Sequence, residues 1–114
     1  MLSHGPMKLP AQLAPAQVKQ RLDAGQPLVL LDVREPQEVA LVRIAGAVHI
    51  PMGDIAGRVH ELDPDADIVV YCHHGIRSAS VAAFLTQRDF TSVANLSGGI
   101  DAWSLTVDPS LPRY

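Results

Sequence analysis

The sequence predicts a small α/β domain, a parallel β-sheet with helices on both faces. Three observations carry that prediction. Short apolar runs such as "PLVLLDV" and "DADIVVYC" take turns along the chain with stretches of helical character. The runs are continuous instead of alternating, as expected of strands covered on both sides. The single cysteine, Cys72, stands just beyond one of these runs, at the carboxyl end of a strand, where sheets of this kind place their pockets.

Taken in order, Met1 to Pro6 shows no periodicity and reads as a loose leader, leaving residues 7–114 as the single domain. Pro15 suits the first turn of a helix, where its missing N–H costs nothing. "AQVKQRLDAG" continues that helix with Val18 and Leu22 one turn apart, and Gly25 stops it. "PLVLLDV" is the first buried strand. "EPQEVALVRI" is a short helix carrying Glu35 and Glu38 near its positive end. "GAVHIP" is a second strand and "MGDIAGRVHEL" a weak helix. "DADIVVYC" is the third strand, and "SASVAAFLTQRDF", rich in alanine with Val81, Phe84 and Leu85 on one face, is the best helix. "SVANL" closes the set of strands, and "GGIDAW" makes a turn and a short helix.

A chain of 114 residues has room for one core and can bury roughly two thirds of its unfolded surface without metal or disulfide. Nine Lys and Arg against twelve Asp and Glu give a net charge of −3, so there is no basic footprint for nucleic acid. No segment reaches the length of an apolar membrane span. One cysteine makes no internal disulfide, which points to a free thiol and a cytoplasmic setting. The five histidines lack ligand spacing, so no metal is expected.

The stretch "CHHGIRS" concentrates the chemistry. A lone cysteine after a strand can be a small, inert, buried hydrophobe. Its neighbours here fit a nucleophile as well. A helix follows, so unpaired N–H groups and the helix dipole face Cys72. Gly75 lets successive N–H groups converge into an anion-binding nest. Arg77 brings a fixed charge, while His73 and His74 bring donors that can become cationic. Ile76 and Ser78 complete the cradle, which suits a thiolate or a bound oxyanion.

"CHHGIRS" also resembles the active-site loop of rhodanese-like sulfurtransferases. "LLDVREPQEVALVRIAGAVHIP" resembles the family's segment built on Asp-Val-Arg-Glu and a later Gly-Ala before a strand. "NLSGGIDAW" resembles its Leu-x-Gly-Gly-x-x-x-Trp segment, and "VDPSLPRY" looks like the tail of small single-domain members. The first three lie in the family's order from Leu30 to Trp103. The resemblance implies a sheet of about five strands and a persulfide relay on Cys72. A small anionic sulfur donor such as thiosulfate would be held by His73, His74, Gly75, Ile76, Arg77 and Ser78. Cyanide, a thiol or an acceptor protein would then take the sulfur, with no cofactor. Asp32 and Arg34 would support the loop through hydrogen bonds and a salt bridge to Glu38.

Departures are local. Arg43 and Ala45 stand where family members often have histidine and proline, and His73 and His74 replace stronger cations, so turnover is expected to improve at mildly acidic pH. The thin loop is expected to leave the thiol fairly exposed. Phosphatases of the same fold need five residues between cysteine and arginine. Only four separate Cys72 from Arg77, which argues against phosphatase or arsenate reductase chemistry. A binding module without activity is the other alternative; inactive members commonly lack the cysteine that this chain keeps.

Overall fold

The computed structural model describes residues 9–114, so the leader expected at 1–6 lies outside the described residues. Five strands form one sheet in which every pair is parallel. They are β1 (Ala11–Leu13), β2 (Val29–Asp32), β3 (Val48–His49), β4 (Ile68–Tyr71) and β5 (Val93–Leu96), in the spatial order β1-β5-β4-β2-β3. The central trio carries the apolar runs. All four residues of β4 and of β5 are buried. Their side chains point alternately to two separate cores, as strand geometry requires.

One core joins Leu31, Val70 and Ile68 to Ile55 of α3 (Ile55–Arg58) and to Val81 and Leu85 of α4 (Ile76–Gln87). The other joins Leu30, Val69 and Tyr71 to Val18 of α1 (Pro15–Asp23) and to Ile100 and Trp103 of α5 (Gly99–Thr106). Val42, just past α2 (Pro36–Leu41), packs into this second core. Helices therefore cover both faces, and the parallel α/β architecture read from the sequence is the one observed.

The strand set and the best helix differ from the sequence reading, and the helix expected over "EPQEVALVRI" already ends at Leu41. The residues themselves name four strands, and the fifth, β1, is a three-residue edge strand with two exposed positions, too short and too polar to show as an apolar run. It is recruited by pairing Ala11–Leu13 with Ala94–Leu96. The best helix begins at Ile76 instead of Ser78, because Gly75 takes the left-handed conformation (φ 98°) and serves as its cap. It stops at Gln87, short of the expected Phe90, and Asp89 turns left-handed (φ 67°) just beyond.

Candidate active site

Cys72 leaves β4 at the carboxyl edge of the sheet, between β5 and β2. The loop behind it turns back so that its N–H groups point inward. Gly75 donates its N–H to the Cys72 Sγ at 3.1 Å, and Ser78 donates both its N–H at 3.4 Å and its hydroxyl at 3.3 Å. Burial pushes the thiol pKa up. The Ser78 hydroxyl and the N–H groups of Ser78, Gly75 and His74 outweigh it, so the net displacement is below the ordinary cysteine value. The expectation of an exposed thiol is corrected here: Cys72 is only 1% exposed, because the loop folds over its sulfur.

The outer side of the loop is pinned by its carbonyls. The first amides of α5 donate to it, Ile100 N–H to Cys72 O at 2.9 Å and Asp101 N–H to His73 O at 3.1 Å. That approach is possible only because residue 99 is glycine. A Cβ there would lie 2.4 Å from His73 O and 2.6 Å from Cys72 O, at a φ of +61°. The Gly75 carbonyl accepts from the Asn95 side chain at 3.0 Å, and the same amide group reaches Gln12 Oε1 at 3.1 Å. The short edge strand thus braces the loop through β5.

Each fixed cation around the loop has its own carboxylate. Arg77 makes a bidentate pair with Glu38, at 2.6 and 2.9 Å. Arg113 pairs with Asp101 at 2.8 Å. Arg34, fully buried, holds Asp32 through two side-chain bonds at 3.0 and 2.7 Å and caps Val42 O at 2.7 Å. The Asp32 carboxylate also accepts from the Tyr71 hydroxyl at 2.9 Å. Arg77 chiefly, helped by the Tyr114 hydroxyl and opposed by burial, holds the Glu38 carboxyl at about 2.

One comparison decides the family: the rhodanese-like domain matches residues 14–106. The chain belongs to the rhodanese-like domain family. It is 40% identical over 98 residues to the putative sulfurtransferase YtwF of Bacillus subtilis, which covers 86% of this chain and 94% of that protein. It is 39% identical over 92 residues to the thiosulfate sulfurtransferase GlpE of Pseudomonas aeruginosa, covering 81% of this chain and 82% of that one. A crystal structure of a rhodanese-like domain protein from Staphylococcus aureus superposes with a TM-score of 0.79 at 27% identity, covering 91% of this chain and 98% of that one.

Within this rhodanese-like site, the residues singled out from sequence take different places. Gly75 and Ser78 touch the sulfur. Arg77 stands at the rim, but its charge is engaged by Glu38, a pairing the sequence reading assigned to Arg34 instead. Arg34 reaches only the Glu38 main-chain carbonyl, at 3.3 Å. Asp32 and Arg34 form a buried pair beneath the helix that carries Glu38. His73 and His74 lie side by side with ring centroids 3.8 Å apart. Burial, then the neighbouring His74, lowers the His73 pKa below the ordinary imidazole value. Ile76 is 79% exposed beside the loop.

His73, His74 and Asp101 bring one possible ligand atom each within 4.8 Å of one another. Asp101 is taken up by Arg113. The two imidazoles are tilted by 31° to one another, with centroids 3.8 Å apart. A cleft of about 330 Å³ at the opposite end of the strands, beside Leu9, Arg21, Asp67 and Phe90, is lined by neither cysteine nor histidine.

Sequence reasoning missed Tyr114. It lies 80 positions beyond Arg34, yet its hydroxyl accepts from Arg34 Nη1 at 3.1 Å and donates to Glu38 Oε2 at 2.7 Å. Its ring stacks on His73. Burial first, and then Glu38, raise its pKa to about 12, so the hydroxyl keeps its proton. The "VDPSLPRY" likeness was the available signal, but it said nothing about where the tail lands.

Proposed function

We propose that this domain is a sulfurtransferase that carries sulfur as a persulfide on Cys72. One observation supports this above the others: Gly75 N–H, Ser78 N–H and the Ser78 hydroxyl converge on a single sulfur at the carboxyl end of the central strand. Donors arranged in that way favour the thiolate over the thiol. The sulfurtransferase names of the Bacillus subtilis and Pseudomonas aeruginosa relatives point the same way.

The reaction has two half-steps. The Cys72 thiolate attacks the outer sulfur of thiosulfate; the new S–S bond forms as the old one breaks, and its electron pair leaves with sulfite. In the second step a nucleophile, cyanide or a thiolate, attacks the outer sulfur of the persulfide. The Cys72–sulfur bond breaks and the thiolate returns. Neither step needs an outside oxidant or a cofactor. Because Arg77 is already paired, the loop N–H groups carry most of the reception of the anion. A nucleophilic free thiol suits a reducing compartment such as the cytoplasm.

Intact mass after incubation with thiosulfate tests the reading. The expected result is a gain of one sulfur atom that is absent from Cys72→Ser and discharged by cyanide as thiocyanate. No gain overturns the proposal. A persulfide that forms but resists discharge by cyanide or thiols makes the domain a sulfur carrier and not a transferase.

A further inference from the structure

The segment carrying Arg113 and Tyr114 crosses the site from outside it. The Tyr114 ring lies flat on the His73 imidazole, with centroids 3.8 Å apart and planes within 9°. The hydroxyl bridges Glu38 and Arg34, and Arg113 grips Asp101 in α5. The tail is thus fastened to the loop that follows Cys72, to α2 and to α5. We propose that residues 113–114 form a strap over the mouth of the Cys72 loop, and that Tyr114 determines how large a donor or acceptor reaches the thiol.

Two further observations fit a strap that opens. Its ion pair is exposed on the arginine side, with 55% of the Arg113 side chain accessible, and such pairs hold weakly. In the closed arrangement His73 Nε2 is buried without a hydrogen-bond partner. An unpaired buried nitrogen disfavours the state that contains it, and lifting the Tyr114 ring lets water or a donor oxygen reach it. The closed state is therefore a latch held by a few contacts and opposed by one unsatisfied atom.

The inference rests on Cys72 being the reacting group, so its test reads the thiol directly and does not depend on sulfur transfer. Alkylation rates of the full chain are measured with iodoacetamide and with a fluorescein maleimide, from pH 5 to 9. For Tyr114→Ala the bulky reagent is expected to react faster by on the order of tenfold, as when an open state populated at about a tenth becomes the only state. Iodoacetamide gains much less, and the pH midpoint stays where it is in the parent. Tyr114→Phe, which keeps the ring, restores most of the discrimination, and Arg113→Ala loosens it partly.

Equal rates for the parent and both loosened variants overturn the strap. So does an equal gain with both reagents accompanied by a shifted midpoint, since that would be a change in thiol acidity and not in access. If Tyr114→Ala does not fold, Arg113→Ala alone decides, because its side chain lies on the surface. A protein that fails the persulfide test but passes this one keeps its strap and loses its proposed reaction.

Discussion

Replacing Gly99 by alanine probes the contact on which the loop's shape depends. The new methyl group would sit 2.4 Å from His73 O and 2.6 Å from Cys72 O, so both carbonyls must retreat by more than half an ångström to reach ordinary separation. Those carbonyls accept from Asp101 and Ile100 at 3.1 and 2.9 Å, and stretching two such bonds costs about 0.5–1.5 kcal/mol each. Holding alanine at φ +61° adds about 1–2 kcal/mol. The expected loss is therefore about 2–5 kcal/mol, which for a domain of this size lowers the Tm by on the order of 10–20 °C. Displaced carbonyls also tilt the peptide planes whose N–H groups face the sulfur, so the thiol pKa should rise by roughly one unit. Thermal unfolding followed by circular dichroism and the pH dependence of iodoacetamide reaction measure the two effects together. A variant with an unchanged Tm and an unchanged thiol midpoint would refute the close approach and the argument built on it.

Ser78→Ala removes one donor at 3.3 Å while keeping the backbone, and should raise the thiol pKa by roughly half a unit to one unit, read from the same alkylation profile. Glu38→Gln tests the acid limb of stability. The folded Glu38 carboxyl lies at about 2 against an ordinary 4.5, so its stabilisation is complete above pH 4.5 and is lost as pH falls through 2. That amounts to at most about 3 kcal/mol, and urea titrations between pH 2.5 and 6 should show a flatter profile for the variant. Arg34→Met strands the Asp32 carboxylate, which is 1% exposed; the expected loss is about 3–5 kcal/mol, measured by urea unfolding at pH 7.

The fold was legible wherever burial on both faces writes itself into the chain as an apolar run, as in "VLLD" and "IVVY". It was not legible at β1, whose membership depends on what β5 presents to it and not on its own residues. Within the site, the local contacts were readable: Cys72, Gly75 and Ser78 lie within six positions of one another, and a loop-to-helix turn brings them together. Partners that meet only through the sheet were not. Glu38 is 39 positions from Arg77, Tyr114 is 76 positions from Glu38, and no spacing rule links them. The misassigned salt bridge follows from this. Both arginines are near Glu38, and only the folded geometry shows that Arg34 is already committed to Asp32. The exposure of the thiol was misjudged for a related reason, since loop length says little about how tightly a loop closes on its own sulfur.

The three pinned carbonyls of the loop have a consequence for redesign. Cys72 and His73 are fastened to α5 and Gly75 to Asn95, so the loop is bolted to the neighbouring segments at fixed intervals. Inserting a fifth residue between Cys72 and Arg77, the simplest route toward a phosphate-sized ring, cannot be absorbed locally. One bolt must come undone, or the glycine pair at 98–99 must be recut to match. Loop and glycine turn therefore behave as a single exchangeable cassette. A change of chemistry on this scaffold requires editing both pieces at once, which single insertions in a mutant library do not supply.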